Sequence, residues 1–270
     1  MPDPARQPGS CLAGPVFSMP VGEMDEPRQL FALNPDLDRA ALARAFAVDH
    51  RIQIRNVLTE DTAREIRKVL AAHTPWGMAA QADGSGIDGP QKLSAGELAS
   101  ERGRARAQQM VQATHQAAGR GAYSFRYAHY SLVEAARQQD GNPHQIILEH
   151  LNTPDFLDLV RAVTGIPELM RADGQATLFG PQHYLGRHID SHLAEGWRIA
   201  YVLNFAPDEW HPDWGGYLTF LDEDGDIVAG YRPRFNALNM FLVPRPHAVT
   251  YVSPFAPSER FAVTGWLRDR

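Results

Sequence analysis

The stretch from Arg198 to Leu221, RIAYVLNFAPDEWHPDWGGYLTFL, contains two short β-favouring runs separated by a turn-rich segment. Similar runs continue on both sides of it, and the helical spacing of apolar residues disappears after Gly174. The predicted strands are Gln175–Gly180, His183–Asp190, Arg198–Phe205, Gly216–Leu221, Asp226–Ala229, Phe235–Val243, Ala248–Val252 and Arg260–Leu267. Many short strands between turn residues indicate a compact sandwich or barrel.

The chain before Gly174 is predicted to be mainly helical. Apolar spacing, capping residues and prolines predict helices over residues 39–46, 59–72, 94–118, 143–151 and 154–165. Alternation predicts short strands at Arg51–Arg55 and Tyr123–Tyr127. Gly77 to Gly89 is rich in Gly, Asp and Ala and is predicted to be a long loop, either a functional lid or a plain surface loop.

These elements predict an α+β fold, with the helices packed against one sheet of a β-sandwich. Residues 1–27 are rich in proline and are expected to be a flexible tail. Residues 28–270 are expected to form a single domain. Within it, residues 28–174 are the mainly helical support and residues 175–270 are the β core.

Composition narrows the class of protein and its partners. The formal net charge is −6 and no polybasic block occurs, which argues against nucleic acid and against an anionic membrane surface. No apolar run is long enough to span a bilayer. The single cysteine, Cys11, excludes an intramolecular disulfide and fits a reducing cytoplasm, so we expect a cytoplasmic protein.

The motif that carries chemistry is His188-Ile-Asp190. Residues i and i+2 of a strand point to the same face, so an imidazole and a carboxylate would lie side by side. They would supply two of the three ligands of the facial triad of non-haem iron(II) oxygenases. The alternative is a hydrogen-bonded surface pair. A second pair, His211-Pro-Asp213, lies in a turn-rich stretch and is not expected to bind metal.

Two further residues extend this pattern. His247 is predicted to stand at the start of a strand, and Arg260 opens the last strand, where Thr264 and Trp266 share its face. A buried guanidinium needs an anion, and a dicarboxylate would bind it through two parallel hydrogen bonds. In the alternative interpretation, Arg260 extends to solvent or pairs with an acid such as Glu259.

Several ordered blocks between Gln182 and Arg268 resemble the prolyl 4-hydroxylase-like branch of the iron(II)/2-oxoglutarate-dependent oxygenase superfamily, particularly the bacterial and fungal proline hydroxylases. The blocks are His188-Ile-Asp190, Arg198-Ile-Ala-Tyr-Val-Leu-Asn204, Trp214-Gly-Gly-Tyr-Leu-Thr-Phe220, Pro233-Arg-Phe-Asn-Ala-Leu-Asn-Met-Phe241, Pro246-His-Ala-Val249 and Arg260-Phe-Ala-Val-Thr-Gly-Trp266. They cover about the C-terminal third of the chain.

The resemblance implies a double-stranded β-helix, or jelly roll, with iron held by His188, Asp190 and His247. It also implies that Arg260 binds the distal carboxylate of 2-oxoglutarate, and we expect Thr264 to line the cosubstrate site. The chain departs from the family pattern in its longer separation of His247 from Arg260. It also has Ala262 where some relatives have serine. Tyr184 is near the expected place of the cosubstrate-binding tyrosine found in many relatives.

The activity implied is hydroxylation with Fe(II), 2-oxoglutarate and O2, with ascorbate as an auxiliary reductant and succinate and CO2 as co-products. The leading hypothesis for the substrate is a prolyl residue of a protein or peptide. A free amino acid or another small metabolite is the alternative within the same mechanism. A non-catalytic β-sandwich that binds a ligand is the alternative from another class. The sequence leaves the oligomeric state open.

Overall fold

Strands are the main regular elements after Gly174, as the sequence predicts. The computed structural model describes residues 31–138, 142–190 and 192–270. The strands are β1 Arg51–Arg55, β2 Gly77–Ala82, β3 Ile87–Leu93, β4 Ser124–Ser131, β5 Arg171–Ala172, β6 Gln175–Phe179, β7 Tyr184–Ile189, β8 Trp197–Phe205, β9 Leu218–Leu221, β10 Ile227–Tyr231, β11 Phe235–Leu242, β12 Pro246–Val249 and β13 Arg260–Arg268.

The strands pair antiparallel in the order β1-β11-β8-β13-β6-β4-β7-β12-β9-β10. Strand β4 joins the two layers of this sheet. Its C-terminal half, from Ala128 to Ser131, pairs with β6, whereas Phe125 and Arg126 pair with β7. The sheet therefore folds over on itself into a nearly closed barrel, and the predicted jelly roll with supporting helices is confirmed.

The helices are α1 Arg39–Asp49, α2 Glu60–Ala72, α3 Ala95–Ala99, α4 Glu101–Gly119, α5 Leu132–Gln138, α6 Pro143–His150 and α7 Pro154–Thr164. The apolar face of α7, with Phe156 and Leu159, packs into the same core as Tyr201 and Leu203 of β8. Alternate β8 residues face the other way, so Ala200 and Val202 line a cavity inside the barrel. Helices cover the outer face of the main sheet, and the inner face is left for chemistry.

The predicted loop from Gly77 to Gly89 is wrong, because this segment forms the β2–β3 hairpin and continues to Leu93. Strand β2 pairs along its whole length with β4. Its sequence, GMAAQA, has weak intrinsic strand preference. Pairing with β4 therefore decides its conformation. Gly84 and Gly86 adopt positive φ at the tip of the hairpin, where glycine is the least strained residue.

The helix predicted over residues 94–118 is interrupted at Ser100 and forms α3 and α4. The capping box of Ser94 and Glu97 is present as expected. Ser100 caps α4 by accepting a hydrogen bond from Gly103 N. At Gly103 a Cβ atom would lie 1.8 Å from Glu97 O, so only glycine allows the two helices to meet this closely.

Other boundaries differ less. Strand β12 begins at Pro246, not at Ala248, so His247 lies within a strand. Helix α5 and the short strand β5 were not expected.

The predicted tail at residues 1–27 lies outside the described residues. Residues Phe31–Arg270 form one unit by their contacts, and the part before Gly174 contributes β1 to β5 to its sheet. Among the described residues, no helix has both the length and the apolar character needed to cross a membrane.

Candidate metal centre

Neighbouring strands bring three metal-ligating side chains together. His188 on β7 and His247 on β12 are direct antiparallel partners, and Asp190 follows the end of β7. His188 Nε2 lies 3.6 Å from Asp190 Oδ1, and His247 Nε2 lies 3.7 Å from Asp190 Oδ2. One candidate ligand atom from each residue lies within 4.8 Å of the others. The three side chains thus surround a space of the size that one metal ion needs.

Hydrogen bonds fix which nitrogen of each imidazole faces that space. His188 Nδ1 lies 3.0 Å from Gly186 O, and His247 Nδ1 lies 2.9 Å from Arg245 O. A carbonyl oxygen can only accept, so Nδ1–H donates in both rings. In the neutral imidazole, Nε2 therefore keeps its lone pair. Both lone pairs are available for a metal, with ring orientation set by the backbone.

Asp190 is held by a tryptophan. Trp266 Nε1–H donates to Asp190 Oδ2 at 2.9 Å. The Trp266 ring stacks on Trp197, with ring centroids 3.8 Å apart. This contact fixes one oxygen of the carboxylate from the opposite wall of the barrel. Hydrogen bonds of this kind orient metal ligands and tune their affinity.

The electrostatics also favour neutral imidazole. Burial lowers the pKa of His247 to about 4, and the charge of nearby His188 adds to this effect, against the opposing attraction of Asp190. A protonated ring cannot bind metal, so the lowered pKa of His247 keeps the ring competent well below neutral pH.

The three residues line a cavity of about 340 Å³ that also contains Arg260. Arg260 is only 3% exposed. Its Nη1–H donates to Asn204 Oδ1 at 3.0 Å, and its guanidinium lies 4.5 Å from the centre of the Phe179 ring. Nε has no hydrogen-bond partner, and no carboxylate in the described residues lies within ion-pair distance. Of the two interpretations, the buried guanidinium is therefore the one observed.

The unpaired guanidinium fits a dicarboxylate cosubstrate. Burial lowers the pKa of Arg260 to about 9, which leaves the side chain charged at neutral pH. A buried charge without a partner is costly, and a carboxylate that accepts two parallel hydrogen bonds would relieve that cost. Because the guanidinium and the triad share one cavity, a single dicarboxylate could contact both.

Thr264, which was expected to line the cosubstrate site, lines the same cavity. The structure adds Tyr127, which sequence reasoning missed. The Tyr127 ring stacks on Phe179 at 5.1 Å, and burial raises the pKa of its phenol to about 12, so the hydroxyl remains a donor. The alternation of residues 123–127 was the available signal, since it places Tyr127 on one face with Tyr123. Tyr184 lies elsewhere, because its hydroxyl donates to Thr114 O at 3.0 Å.

The second His-x-Asp pair is not part of this centre. His211 and Asp213 lie in a 3-10 turn over Pro212–Trp214, and their side chains are 58% and 75% exposed. His192 is also largely exposed. It lies beyond the end of β7, and its ring packs at an angle against Trp197 in the lining of the cavity, with ring centroids 4.5 Å apart.

The longer separation of His247 from Arg260 is accommodated by a packed connection between β12 and β13. Val252 and Ala256 of this connection are buried with Trp210 and Phe179. The additional residues therefore form part of a small apolar core beneath Arg260, and they do not displace that residue from the cavity.

Comparison with known proteins agrees with this geometry. The family model of the 2OG-Fe(II) oxygenase superfamily matches residues 174–268. This segment is a 2OG-Fe(II) oxygenase domain. The match begins where the predicted strands begin and includes His188, Asp190, His247 and Arg260. The chain is a 2-oxoglutarate-dependent dioxygenase, and the superfamily implies Fe(II), 2-oxoglutarate and O2 as its cofactors.

Solved structures share the fold of the oxygenase at low sequence identity. A prolyl-4-hydroxylase of Pseudomonas putida is 18% identical over 85% of this chain and 98% of its own, with a TM-score of 0.51. A 2OG-Fe(II) oxygenase family oxidoreductase of Burkholderia pseudomallei is 13% identical over 89% and 94%, with a TM-score of 0.55.

A Trichoplax adhaerens prolyl hydroxylase, in complex with a peptide of the hypoxia inducible factor oxygen degradation domain, is 14% identical. The match covers 86% of this chain and 89% of that one, with a TM-score of 0.53. No curated protein sequence matches this chain. The structural likeness therefore supports the jelly roll, and the superfamily match supports the chemistry.

Proposed function

We propose that this oxygenase hydroxylates a prolyl residue of a protein or peptide. The observation that carries the proposal is the shared cavity, which holds a His-Asp-His triad together with the unpaired cation of Arg260. The proposal is supported by fold similarity to a prolyl-4-hydroxylase and to a prolyl hydroxylase that is in complex with a peptide.

In this proposal, His188, Asp190 and His247 hold Fe(II) through two imidazole nitrogens and one carboxylate oxygen. Arg260 binds the distal carboxylate of 2-oxoglutarate, and Thr264 lines the cosubstrate site. The iron and the cosubstrate together supply the oxidising chemistry for hydroxylation, and the co-products are succinate and CO2. The protein holds the ligands in one geometry, keeps His247 neutral and encloses the reacting groups in a largely apolar cavity.

The mouth of the cavity supports a peptide substrate. The β2–β3 hairpin contributes Gln81 and Pro90 to the lining, and Tyr123 and Ile189 lie on it as well. Ile189 is 50% exposed although it is a large apolar residue. An exposed apolar side chain beside a catalytic cavity is a natural contact for a bound peptide.

We further propose that residues 28–270 act as a single, cytoplasmic oxygenase unit.

The chemistry is tested by incubating the purified protein with Fe(II), ascorbate and 2-oxoglutarate and measuring succinate. Slow uncoupled succinate formation is expected, and it should disappear in His188→Ala. Asp213→Ala in the exposed pair is the matched control and should retain it. Equal succinate formation by the His188→Ala variant would contradict the assignment of the metal centre.

The substrate is tested separately, by mass spectrometry of host proteins exposed to the wild-type enzyme or to His188→Ala. A prolyl residue that gains one oxygen atom only with the wild-type enzyme is the expected result. The alternative is a small metabolite, which a cavity of about 340 Å³ has room to enclose. Hydroxylation of free L-proline without any modified protein would favour that alternative and reject the peptide proposal.

A further inference from the structure

A second concave site lies away from the metal centre. It runs between strands β1 and β10 and the loop that connects β10 to β11, and its volume is about 580 Å³. We call it the arginine groove. Its lining residues are Gln53, Arg55, Pro212, Tyr217, Gly230, Tyr231, Arg232 and Arg234. None of these residues lines the cavity of the metal centre, so the groove is a separate site.

Three positive charges meet in this groove without a counter-charge. Within the described ranges, Arg55, Arg232 and Arg234 have no carboxylate within 4.0 Å, in contrast to the arginines that do have such a partner: Arg51, Arg64, Arg161, Arg198, Arg268 and Arg270. Like charges that share a concave surface repel one another, and this arrangement becomes favourable when an anion is bound.

The acids beside the arginine groove already pair with another arginine. Glu60 and Asp208 line an adjoining depression, and Arg55, Arg232 and Arg234 line that depression as well. Arg64, however, contacts Glu60 at 2.8 Å and Asp208 at 2.9 Å. Those two carboxylates are thus held by a different cation, and the arginine groove keeps its surplus positive charge.

The groove is also preorganised. Arg234 Nε–H donates to Gln53 Oε1 at 3.0 Å. The amide of Gln53 donates in turn to Arg232 O at 3.1 Å and to Asn239 Oδ1 at 3.0 Å. These bonds fix the direction of Arg234 and the backbone beside it. Arg232 Nε is shielded from solvent and has no hydrogen-bond partner among the described residues, which leaves one donor to be satisfied.

We propose that the arginine groove binds a phosphoryl group, either as a free small phosphate or as part of a larger phosphorylated ligand. A phosphoryl group carries nearly two negative charges and three strong acceptor oxygens. It can therefore neutralise more of three guanidinium groups than a carboxylate can, and guanidinium groups match it through paired hydrogen bonds. Tyr217 and Tyr231 also line the groove.

The proposal is tested by isothermal titration calorimetry of the full chain with inorganic phosphate and with pyrophosphate, in chloride buffer at constant ionic strength. Saturable binding is expected for the wild-type protein. Arg232→Gln and Arg234→Gln should each weaken it by about tenfold or more, because each removes hydrogen bonds between charged groups. Arg44→Gln, an exposed arginine on α1, is the matched control and should bind as the wild type does.

Three results would overturn the proposal: no saturable heat with either anion, equal weakening in the Arg44→Gln control, or tighter binding of acetate than of phosphate. Tighter binding of pyrophosphate than of phosphate would support a larger phosphorylated ligand, and equal binding would support a free phosphate. Succinate formation by each variant shows that the oxygenase remains folded, since the arginine groove shares no residue with the metal centre.

Discussion

Two His-x-Asp tripeptides lie in this chain within a short distance of each other, and only one of them lies in the candidate metal centre. His188-Ile-Asp190 lies at the end of a strand whose neighbour supplies His247, and Trp266 fixes its carboxylate. His211-Pro-Asp213 lies in an exposed 3-10 turn, where His211 Nδ1 merely accepts a hydrogen bond from Asp213 N.

The difference shows that the spacing of two ligands is a weak signal and their surroundings are a strong one. A strand directs both side chains of the first pair to one space, and the barrel closes that space with a third ligand and an unpaired cation. The proline of the second pair cannot donate to a sheet, and no further ligand approaches it within the described residues. The predictions below test this contrast, beginning with the largest expected effect.

Removal of the shared carboxylate should have the greatest effect. Loss of a residue that only supports a ligand costs about 10–100-fold in metal affinity, so loss of a direct ligand in Asp190→Ala should cost more than about 100-fold. Asp213→Ala should leave the affinity for Fe(II) or Mn(II) unchanged, as measured by calorimetry without oxygen. Equal losses of metal affinity in the two variants would contradict the proposal that only the first pair binds metal.

Arg260→Ala should separate cosubstrate binding from metal binding. The variant loses two charge-assisted hydrogen bonds, and we expect 2-oxoglutarate affinity to fall on the order of a hundredfold. Its metal affinity should stay near that of the wild type, because Arg260 makes no contact with the triad in the hydrogen-bond and ion-pair network described. Arg260→Lys keeps the charge but loses the paired hydrogen-bond geometry. Its affinity for 2-oxoglutarate should therefore fall between those of the wild type and Arg260→Ala. A loss of metal affinity in Arg260→Ala as large as in Asp190→Ala would contradict these separate roles.

Trp266→Phe tests the support of the first pair. The variant keeps an aromatic ring against Trp197 but loses the donor to Asp190 Oδ2, so metal affinity should fall about 10–100-fold. The matched substitution Trp214→Phe lies beside the exposed pair, where the His211 and Trp214 ring centroids are 6.1 Å apart, and should not change metal affinity. Unchanged affinity in Trp266→Phe would show that the carboxylate is oriented without the indole.

The smallest expected effect is on the pH dependence of stability, in a comparison of a buried histidine with an exposed one. Burial lowers the pKa of His129 to about 4 from its ordinary value of 6.5. As pH falls between these values, the unfolded chain takes up the proton first, so the free energy of unfolding decreases. His129→Gln should remove about 1 kcal/mol of the decrease that occurs between about pH 7.5 and 5.5. Denaturant unfolding at both pH values measures this, with the exposed His211→Gln as control.

A stability difference between the two pH values that is the same in His129→Gln and the wild type would show that His129 does not titrate differently on folding. The burial of His247 acts in the same direction, so the His129→Gln variant should still lose stability in acid.

The jelly roll could be predicted from the sequence because its strands are short, β-favouring and punctuated by turn residues. The juxtaposition of His188, Asp190 and His247 followed from strand alternation together with the family resemblance. The β2–β3 hairpin could not be predicted, because GMAAQA is a strand only through its pairing with β4. Local sequence could not indicate that partner.

The surroundings of the site were equally hard to predict. Asn204, which accepts a hydrogen bond from Arg260, and Tyr127, which lines the cavity, come from strands far apart in sequence. The arginine groove likewise joins Arg55 to Arg232 and Arg234 through the contact of an early strand with a late loop. Side chains that meet only through tertiary structure leave no periodic signal in the sequence.

The position of β4 between the two layers sets a limit on how far the enzyme can be trimmed. The residues that match the superfamily begin at 174 and therefore do not include β4, which ends at Ser131. A fragment restricted to those residues would lack β4, the neighbour of both β6 and β7. Each of these two strands would then have an exposed edge whose amide and carbonyl groups are not paired with another strand. Such edges recruit strands from other chains, so the excised oxygenase segment should self-associate and should not behave as a portable catalytic module.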